Sequence, residues 1–413
     1  MSTLTPPAVL NILKIRSQFP ALHQKVHGKD LVYFDNAATT QKPKRVIDSL
    51  IGYYEGYNAN IHRGIHTLAE KATKAFEETR NAAQHFIHAK HVEEIIFTSG
   101  VTGSINLVAA SYGRAFLKEG DEVIISGMEH HSNIVPWQII CEEKGAHLRI
   151  IPVTPVGELQ FDEFKKLLSP RTRLVAVNHA SNSLGTINPI KEIIDLAHAA
   201  GAVVLIDGAQ AAAHLDIDVQ ALDCDFYSIS AHKMYGPTGV GILYGKKYLL
   251  EKMPPFMSGG EMIKNVTFQK TTYNDLPYKF EAGTPNIADV IAFRQAIEFI
   301  LELGKENMEA YEQALLGYAS RQLSLFPSVR LIGTSPSKVS VQSFIIEGIH
   351  PFDVGQMLDA RGIAVRTGHH CTQPLMEGFG IEGTVRASFA VYNTREEIDQ
   401  LVEGVDRIIK FMK

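Results

Sequence analysis

Lys233 lies in the segment Ser230-Ala231-His232-Lys233-Met234-Tyr235-Gly236-Pro237, and Asp207 closes the apolar run Val204-Leu205-Ile206 upstream of it. An amine of this kind can condense with an aldehyde. A carboxylate at a pyridinium nitrogen keeps that ring protonated, so that it acts as an electron sink. An acid buried at a strand end is costly without a cationic partner. A lone lysine is usually surface decoration and a lone strand-end aspartate is usually a cap. The two segments together read instead as the halves of a pyridoxal phosphate (PLP) site. Thr102 and Gly103 add a third element: they open a helix directly after a strand-like run, where a helix N-terminus favours an anion such as a phosphate.

A second cluster surrounds Cys371, in Arg366-Thr367-Gly368-His369-His370-Cys371. A free thiol with a pKa of about 8.5 is only slightly ionised at neutral pH, and the thiolate is the nucleophile. His369 and His370 could raise that fraction, although adjacency does not fix where their rings point. Cys141 and Cys224, with no such neighbours, read as inert buried residues. Three adjacent residues rarely converge on one ion, and no second Cys/His group has ligand spacing, so we expect no metal. Arg366 and Arg386 each present a planar fork suited to bidentate capture of a carboxylate. We assign Arg386 as the substrate carboxylate anchor and place Arg366 near the cysteine loop; neither role is exclusive, and an ion pair is the plain alternative for each.

These residues need a scaffold that brings distant segments together. Strand-like and helix-like runs alternate through the middle of the chain: strands at 95–100, 121–126, 148–153, 174–178 and 203–206, with helices at 104–117, 134–144 and 190–200. Such alternation predicts a largely parallel sheet with helices on both faces. Functional residues then gather at the carboxyl ends of the strands. Thr102, His130, Asn182, Asp207 and Lys233 all follow strand-like runs. After Thr284-Pro285-Asn286 the character changes to long helical stretches at 288–303 and 308–325, followed by a smaller α/β region ending in a helix at 396–412.

The 413 residues, 45% hydrophobic and 21% charged with a net charge of −5, describe an ordinary globular protein with ample core. That charge offers no reason to expect nucleic acid or an anionic membrane. We expect no secretory signal and no membrane span. Three cysteines do not make a disulfide framework and suit a reducing compartment, with the cytoplasm as default.

The chain resembles a group II cysteine desulfurase, the Suf-type and selenocysteine-lyase-like branch of the class V aminotransferase family. The resemblance covers nearly the whole chain. It rests on FDNAATTQKP (34–43), HRGIHTL (62–68), MEHHSNIVPWQ (128–138), IDGAQ (206–210), SAHKMYGPTGVGILYG (230–245), FEAGTPN (280–286) and RTGHHCTQPLM (366–376). It implies an α/β fold, the PLP-dependent transferase fold type I, with a mainly parallel seven-stranded sheet in a large domain (31–287). It also implies a smaller C-terminal α/β domain (288–413) carrying the cysteine loop, against which residues 1–30 pack. In such enzymes the counterpart of Lys233 binds the cofactor and that of Cys371 becomes a persulfide. His130 matches a histidine that stacks on the pyridine ring and shuttles protons. Gln210 and Asn182 match residues that hydrogen-bond the cofactor's phenolic oxygen, Asn182 also lying near the substrate. Ser230 and His232 resemble phosphate ligands, and Thr284 resembles one supplied by a second subunit of a homodimer. The implied substrate is L-cysteine, or L-selenocysteine, with sulfur passed to an acceptor protein of the SufE or SufU type for iron–sulfur cluster assembly.

Two departures from the pattern stand out. The strand-end loop reads Ser99-Gly100-Val101-Thr102-Gly103-Ser104, where a second threonine and an acidic residue are usual. Thr372 replaces a common alanine, which we expect to alter loop packing only. The competing readings are another fold-type I reaction such as transamination, which needs no cysteine nucleophile, and a PLP-free scaffold, which needs none of Lys233, Asp207 and His130.

Overall fold

The apolar runs in the middle of the chain form one sheet of seven strands: β1 (Ile95–Thr98), β2 (Glu122–Ser126), β3 (His147–Ile151), β4 (Thr172–Asn178), β5 (Val203–Asp207), β6 (Phe226–Ser230) and β7 (Gly241–Gly245). The computed structural model describes residues 10–412. The spatial order is β1-β7-β6-β5-β4-β2-β3. β7 is antiparallel to β1 and β6, and the other pairs are parallel. Every residue of β2 and β6 is buried, because helices cover both faces. Alternation along the strands splits the core: Val204 and Ile206 join one apolar cluster, while Leu205 joins the other.

The expected elements appear with shifted ends. The helix anticipated at 104–117 starts earlier, as Val101–Val108, and continues through a π-helical turn at Ala109–Gly113. Gly100 allows this: it takes φ +126°, open to glycine, and its carbonyl accepts the first helical bond from Ser104 N–H at 3.0 Å. Thr102 therefore sits in the helix's first turn, where backbone N–H groups lack intrahelical partners. The strand expected at 148–153 ends at Ile151, because Pro152 follows and Val153 instead bridges Leu159.

Further along, β8 (Val329–Ile332), β9 (Val341–Ile346), β10 (Arg366–Gly368) and β11 (Thr384–Ser388) make an antiparallel sheet ordered β8-β9-β11-β10. Its Phe344, Val385 and Ala387 pack with Leu315, Leu358, Ile398 and Leu401 of the neighbouring helices in a separate core. Ile363–Ala364 form a two-residue strand paired in parallel with Val32–Tyr33. That pairing brings Asp35 beside Ser388 of β11. Of the opening segment, residues 10–30 are described: Phe19 is fully buried among Tyr235, Phe299 and Tyr392, and Arg16 pairs with Glu397 at 2.8 Å. Among the described residues no helix is long and apolar enough to cross a membrane.

Candidate active site

The carboxyl ends of the parallel strands open on a cleft of about 270 Å³. Thr102, His130, Asn182, Asp207, Gln210, Ser230, His232, Lys233, Arg366, Cys371 and Arg386 all line it. Gly103 and Thr284 do not. Gly103 turns to the other side of its helix, where a Cβ would lie 2.6 Å from Ser99 Oγ, and borders a separate apolar groove. Thr284 is exposed on the segment beside that groove.

Asp207 ends β5, is 4% exposed, and accepts the Ala209 N–H at 2.8 Å. Burial pushes its carboxyl pKa up, against the pull of the Lys233 charge. Burial also pushes the Lys233 amine down to about 8, with Asp207 opposing and Arg386 assisting. The pair is thus a buried acid in need of a cation and an amine that readily loses its proton. His130 is held neutral: burial, with the Lys233 charge second, pushes its pKa down to about 3. Its Nδ1 accepts the Ser132 N–H at 3.1 Å, so the ring proton sits on Nε2. Ser132 Oγ in turn bonds Thr102 Oγ1 at 2.7 Å, and Ser230 Oγ accepts the Val101 N–H at 2.9 Å. Hydroxyls and a helix-start N–H therefore meet in the same cleft lining that holds the buried acid. That donor set fits pyridoxal phosphate: anion donors for the phosphate, Asp207 for the ring nitrogen, Lys233 for the aldehyde.

The side-chain amides are engaged with the chain itself. Asn182 Nδ2 donates to His370 O at 2.7 Å, and Gln210 Nε2 donates to Ala37 O at 2.7 Å. Each amide nitrogen carries a second N–H, and each side chain has a free acceptor type.

Arg366 and Arg386 are directly opposite one another on β10 and β11. Like charges so placed repel, and Asp35 answers both. It accepts from Arg386 Nη2 at 3.1 Å and lies 3.7 Å from Arg366 Nη1. Arg386 is 1% exposed; its Nη1 donates to Asn182 O at 2.8 Å, and its Nε has no partner among the described residues. Burial pushes its guanidinium down to about 10.

Cys371 sits in the loop 369–372, between β10 and the helix Gln373–Gly378. His370 and Cys371 have φ of +53° and +58°, left-handed values that cost non-glycine residues energy. The loop is held in that shape. Cys371 N–H donates to His369 Nδ1 at 3.1 Å, and Cys371 O accepts from His131 N–H at 2.8 Å. The expectation that both flanking histidines favour the thiolate is corrected for His370. Burial drives its pKa well below the usual value, so it brings no positive charge, and its Nε2 bonds Thr384 Oγ1 at 2.7 Å. Thr372 is fully buried and its Oγ1 meets Ser183 Oγ at 2.6 Å. Cys141 and Cys224 are buried, with burial raising both thiols, the former to about 11.

Three contributors went unread in the sequence, and a fourth, His131, reads there only as a structural neighbour of His130. Asp35 lies in FDNAATTQKP, and asking what neutralises two facing arginines would have found it. Lys42, in the same motif, is half-buried; desolvation pushes its amine down to about 7. It donates to His232 O at 2.9 Å and Thr40 O at 2.5 Å, holding the Lys233 turn. Glu129 is fully buried beside His130, with burial raising its carboxyl to about 7. It accepts from Ser126 Oγ, from Asn133 Nδ2 at 2.7 Å and from Asn178 N–H at 2.9 Å, locking the ends of β2 and β4 together. His131 is the residue described above at the Cys371 carbonyl.

Known proteins with this sequence pattern and this shape share a description. A cysteine desulfurase of Synechococcus elongatus is 52% identical over 398 residues, 96% of this chain and 64% of that one, so the chain spans less than two thirds of that relative's length. A probable cysteine desulfurase of Halalkalibacterium halodurans is 50% identical over 96% of this chain and 98% of its own. The crystal structure of the cysteine desulfurase CsdA from Escherichia coli matches with a TM-score of 0.91 at 39% identity, covering 98% of this chain and 100% of that one. The aminotransferase class-V family model matches residues 32–401, a span that holds every cleft residue described above, and the chain belongs to that family.

Proposed function

We propose that the protein is a PLP-dependent cysteine desulfurase that converts L-cysteine to L-alanine and leaves a persulfide on Cys371. The observation that carries this reading is the convergence of the Lys233 amine, the Asp207 carboxylate and the Cys371 thiol on one cleft. The relatives' descriptions support it.

When bound, pyridoxal phosphate supplies an aldehyde and an electron-withdrawing ring that weakens bonds at the substrate's α-carbon. The chain does the rest. Thr102, Ser230 and His232, which line the cleft, would hold the phosphate, and Asp207 would pair with the ring nitrogen. His130 would cover the ring, and Gln210 and Asn182 would serve its phenolic oxygen with their spare donors. Arg386, with Arg366 beside it, takes the substrate carboxylate, Asp35 yielding one of its partners. Lys233, with its lowered proton affinity, takes the proton from the substrate α-carbon. The Cys371 thiolate attacks the substrate sulfur. The new S–S bond forms as the Cβ–S bond breaks, its electron pair stays with the carbon skeleton, and protonation there gives alanine.

In this reading residues 31–287 carry the cofactor, and residues 288–413 carry the two arginines and the cysteine loop. L-selenocysteine presents the same carboxylate and amine and is a second substrate. Thr284, exposed beside the groove that Gly103 borders, serves the phosphate of a second copy, making the working unit a homodimer. Sulfur then passes to an acceptor of the SufE or SufU type and on to iron–sulfur cluster assembly. Three free cysteines suit the reducing cytoplasm.

The test is direct. Purified protein should be yellow and should release alanine and, with reductant, sulfide from L-cysteine. Lys233→Ala should lose the cofactor's visible band and turnover. Cys371→Ser should keep the band and respond to L-cysteine, yet release almost no sulfide. Native sulfide output from either variant refutes the assignment.

A further inference from the structure

We propose that His131 is a positioning residue for Cys371, its ring fixing the loop from which the thiolate attacks. The proposal rests on the desulfurase reading for its consequence, though not for its geometry. His131 reaches the loop in three places. Its backbone N–H donates to Cys371 O at 2.8 Å. Its ring Nε2 accepts the Gln373 N–H at 3.2 Å. Its ring stands 5.6 Å from that of His369, tilted by 36°, and His369 Nδ1 is the acceptor for Cys371 N–H. Both backbone polar groups of Cys371 are therefore taken by histidines, and His131 braces the second of these.

The Gln373 bond has a specific use. Gln373 is the first residue of the helix Gln373–Gly378, whose preceding Thr372 makes no side-chain cap. First-turn N–H groups lack intrahelical partners, and the His131 ring fills that role from another part of the chain. The helix start is thereby set against the segment that carries His130. This matters because the loop conformation is not one that the chain adopts by itself: two successive non-glycine residues are left-handed and need surrounding contacts to persist. Burial lowers the His131 pKa, with His369 adding to it, which keeps the ring neutral and Nε2 able to accept. Reacting atoms must be held in attack geometry, and small misplacements cost large factors in rate.

PLP-loaded native protein, His131→Ala and His131→Gln are compared in two measurements. The first is the rate at which iodoacetamide alkylates Cys371, followed by mass spectrometry. The second is the single-turnover rate of persulfide formation on Cys371 with L-cysteine. His131→Ala should keep the cofactor band and melting midpoint of the native protein, alkylate severalfold faster, and form persulfide about tenfold more slowly. The glutamine variant, whose amide oxygen reaches the Nε2 position, should recover most of both. Unchanged alkylation in His131→Ala overturns the proposal, as does a glutamine variant no better than alanine. So does a variant that merely unfolds or loses cofactor while its folded fraction alkylates at the native rate. If the native protein itself forms no persulfide, the desulfurase reading fails and the alkylation rates alone decide the role of His131.

Discussion

Lys233 shows how burial converts an ordinary residue into a reactive one. In water its amine is protonated to well above neutral pH; in the cleft that proton is lost near pH 8. The neutral amine is the nucleophile toward an aldehyde. Recombination of cofactor-free protein with added PLP should therefore speed up as pH rises through about 8, read from recovery of the visible band. The sign for stability agrees: a lysine whose folded pKa lies below its unfolded value destabilises the fold at low pH, and that cost fades as pH rises from the folded toward the unfolded value. A recombination rate flat across that range would remove Lys233 from the step. Arg386 makes the complementary case for geometry over charge. Its fork is shared between Asp35 and the Asn182 carbonyl, and lysine keeps the charge while losing the fork. Arg386→Lys should raise the KM for L-cysteine about tenfold, equivalent to about 1.4 kcal/mol of carboxylate binding. An unchanged KM would assign the carboxylate to Arg366.

At the scale of elements, the site depends on short segments pinned by contacts remote in sequence. The cysteine loop is the clearest example, four residues held by His131, Asn182, Ser183 and Thr384. Thr372 was expected to alter packing alone. Its fully buried hydroxyl instead joins Ser183 Oγ and donates to His369 O at 2.8 Å. Thr372→Ala removes one partner of a buried hydroxyl pair, and so should cost about 1–2 kcal/mol in denaturant unfolding. Persulfide formation should continue, because Cys371 keeps its two backbone bonds. Native stability in that variant would mean that the hydroxyl pair is not what holds the loop. β7 shows the same dependence in the main sheet. A Cβ at Gly241 would lie 2.3 Å from Ile229 O and 2.6 Å from Gly100 Cα, so the turn that opens the Thr102 helix can sit there only against a glycine.

For the whole molecule, the question is what completes the site. Thr284 lies outside its own chain's cleft, on a segment bordering an apolar groove lined by Phe256 and Met257, both exposed. A second copy would cover this surface. Light scattering should give twice the 45.6 kDa chain mass, and dilution to monomer should release cofactor. A monomer that retains both PLP and activity would contradict the homodimer. Under the proposed function, the short cysteine loop, tied to the rest of the chain by its hydrogen bonds, limits how far the thiolate can swing, so a sulfur acceptor would have to come to it. Turnover without an acceptor should be limited by persulfide removal, and raised severalfold by a cognate acceptor protein.

By itself, the sequence determined which residue types were available for chemistry and that the sheet would be largely parallel. Lys233, Asp207 and Cys371 stood out as candidates because only certain side chains can do such jobs, and all three line the one cleft. Much of the sheet was legible because burial on both faces writes itself as apolar runs, as at Val123–Ile125 of β2 and Leu174–Val177 of β4. The tertiary structure alone decided how the charges are balanced. Asp35 and Arg386 are 351 residues apart in sequence, and nothing local to either says they meet. His131 and Gln373, 242 residues apart, are the same case. Protonation was equally hidden, since the neutrality of His130 and His370 follows from burial, a property of the assembled molecule. The exact start of the Thr102 helix also waited on the structure, because Gly100 could take its positive φ only where the packing of β7 asked for it. Residue type declares what a side chain is able to do; its charge state and its partners are set by chain segments that only folding brings into contact.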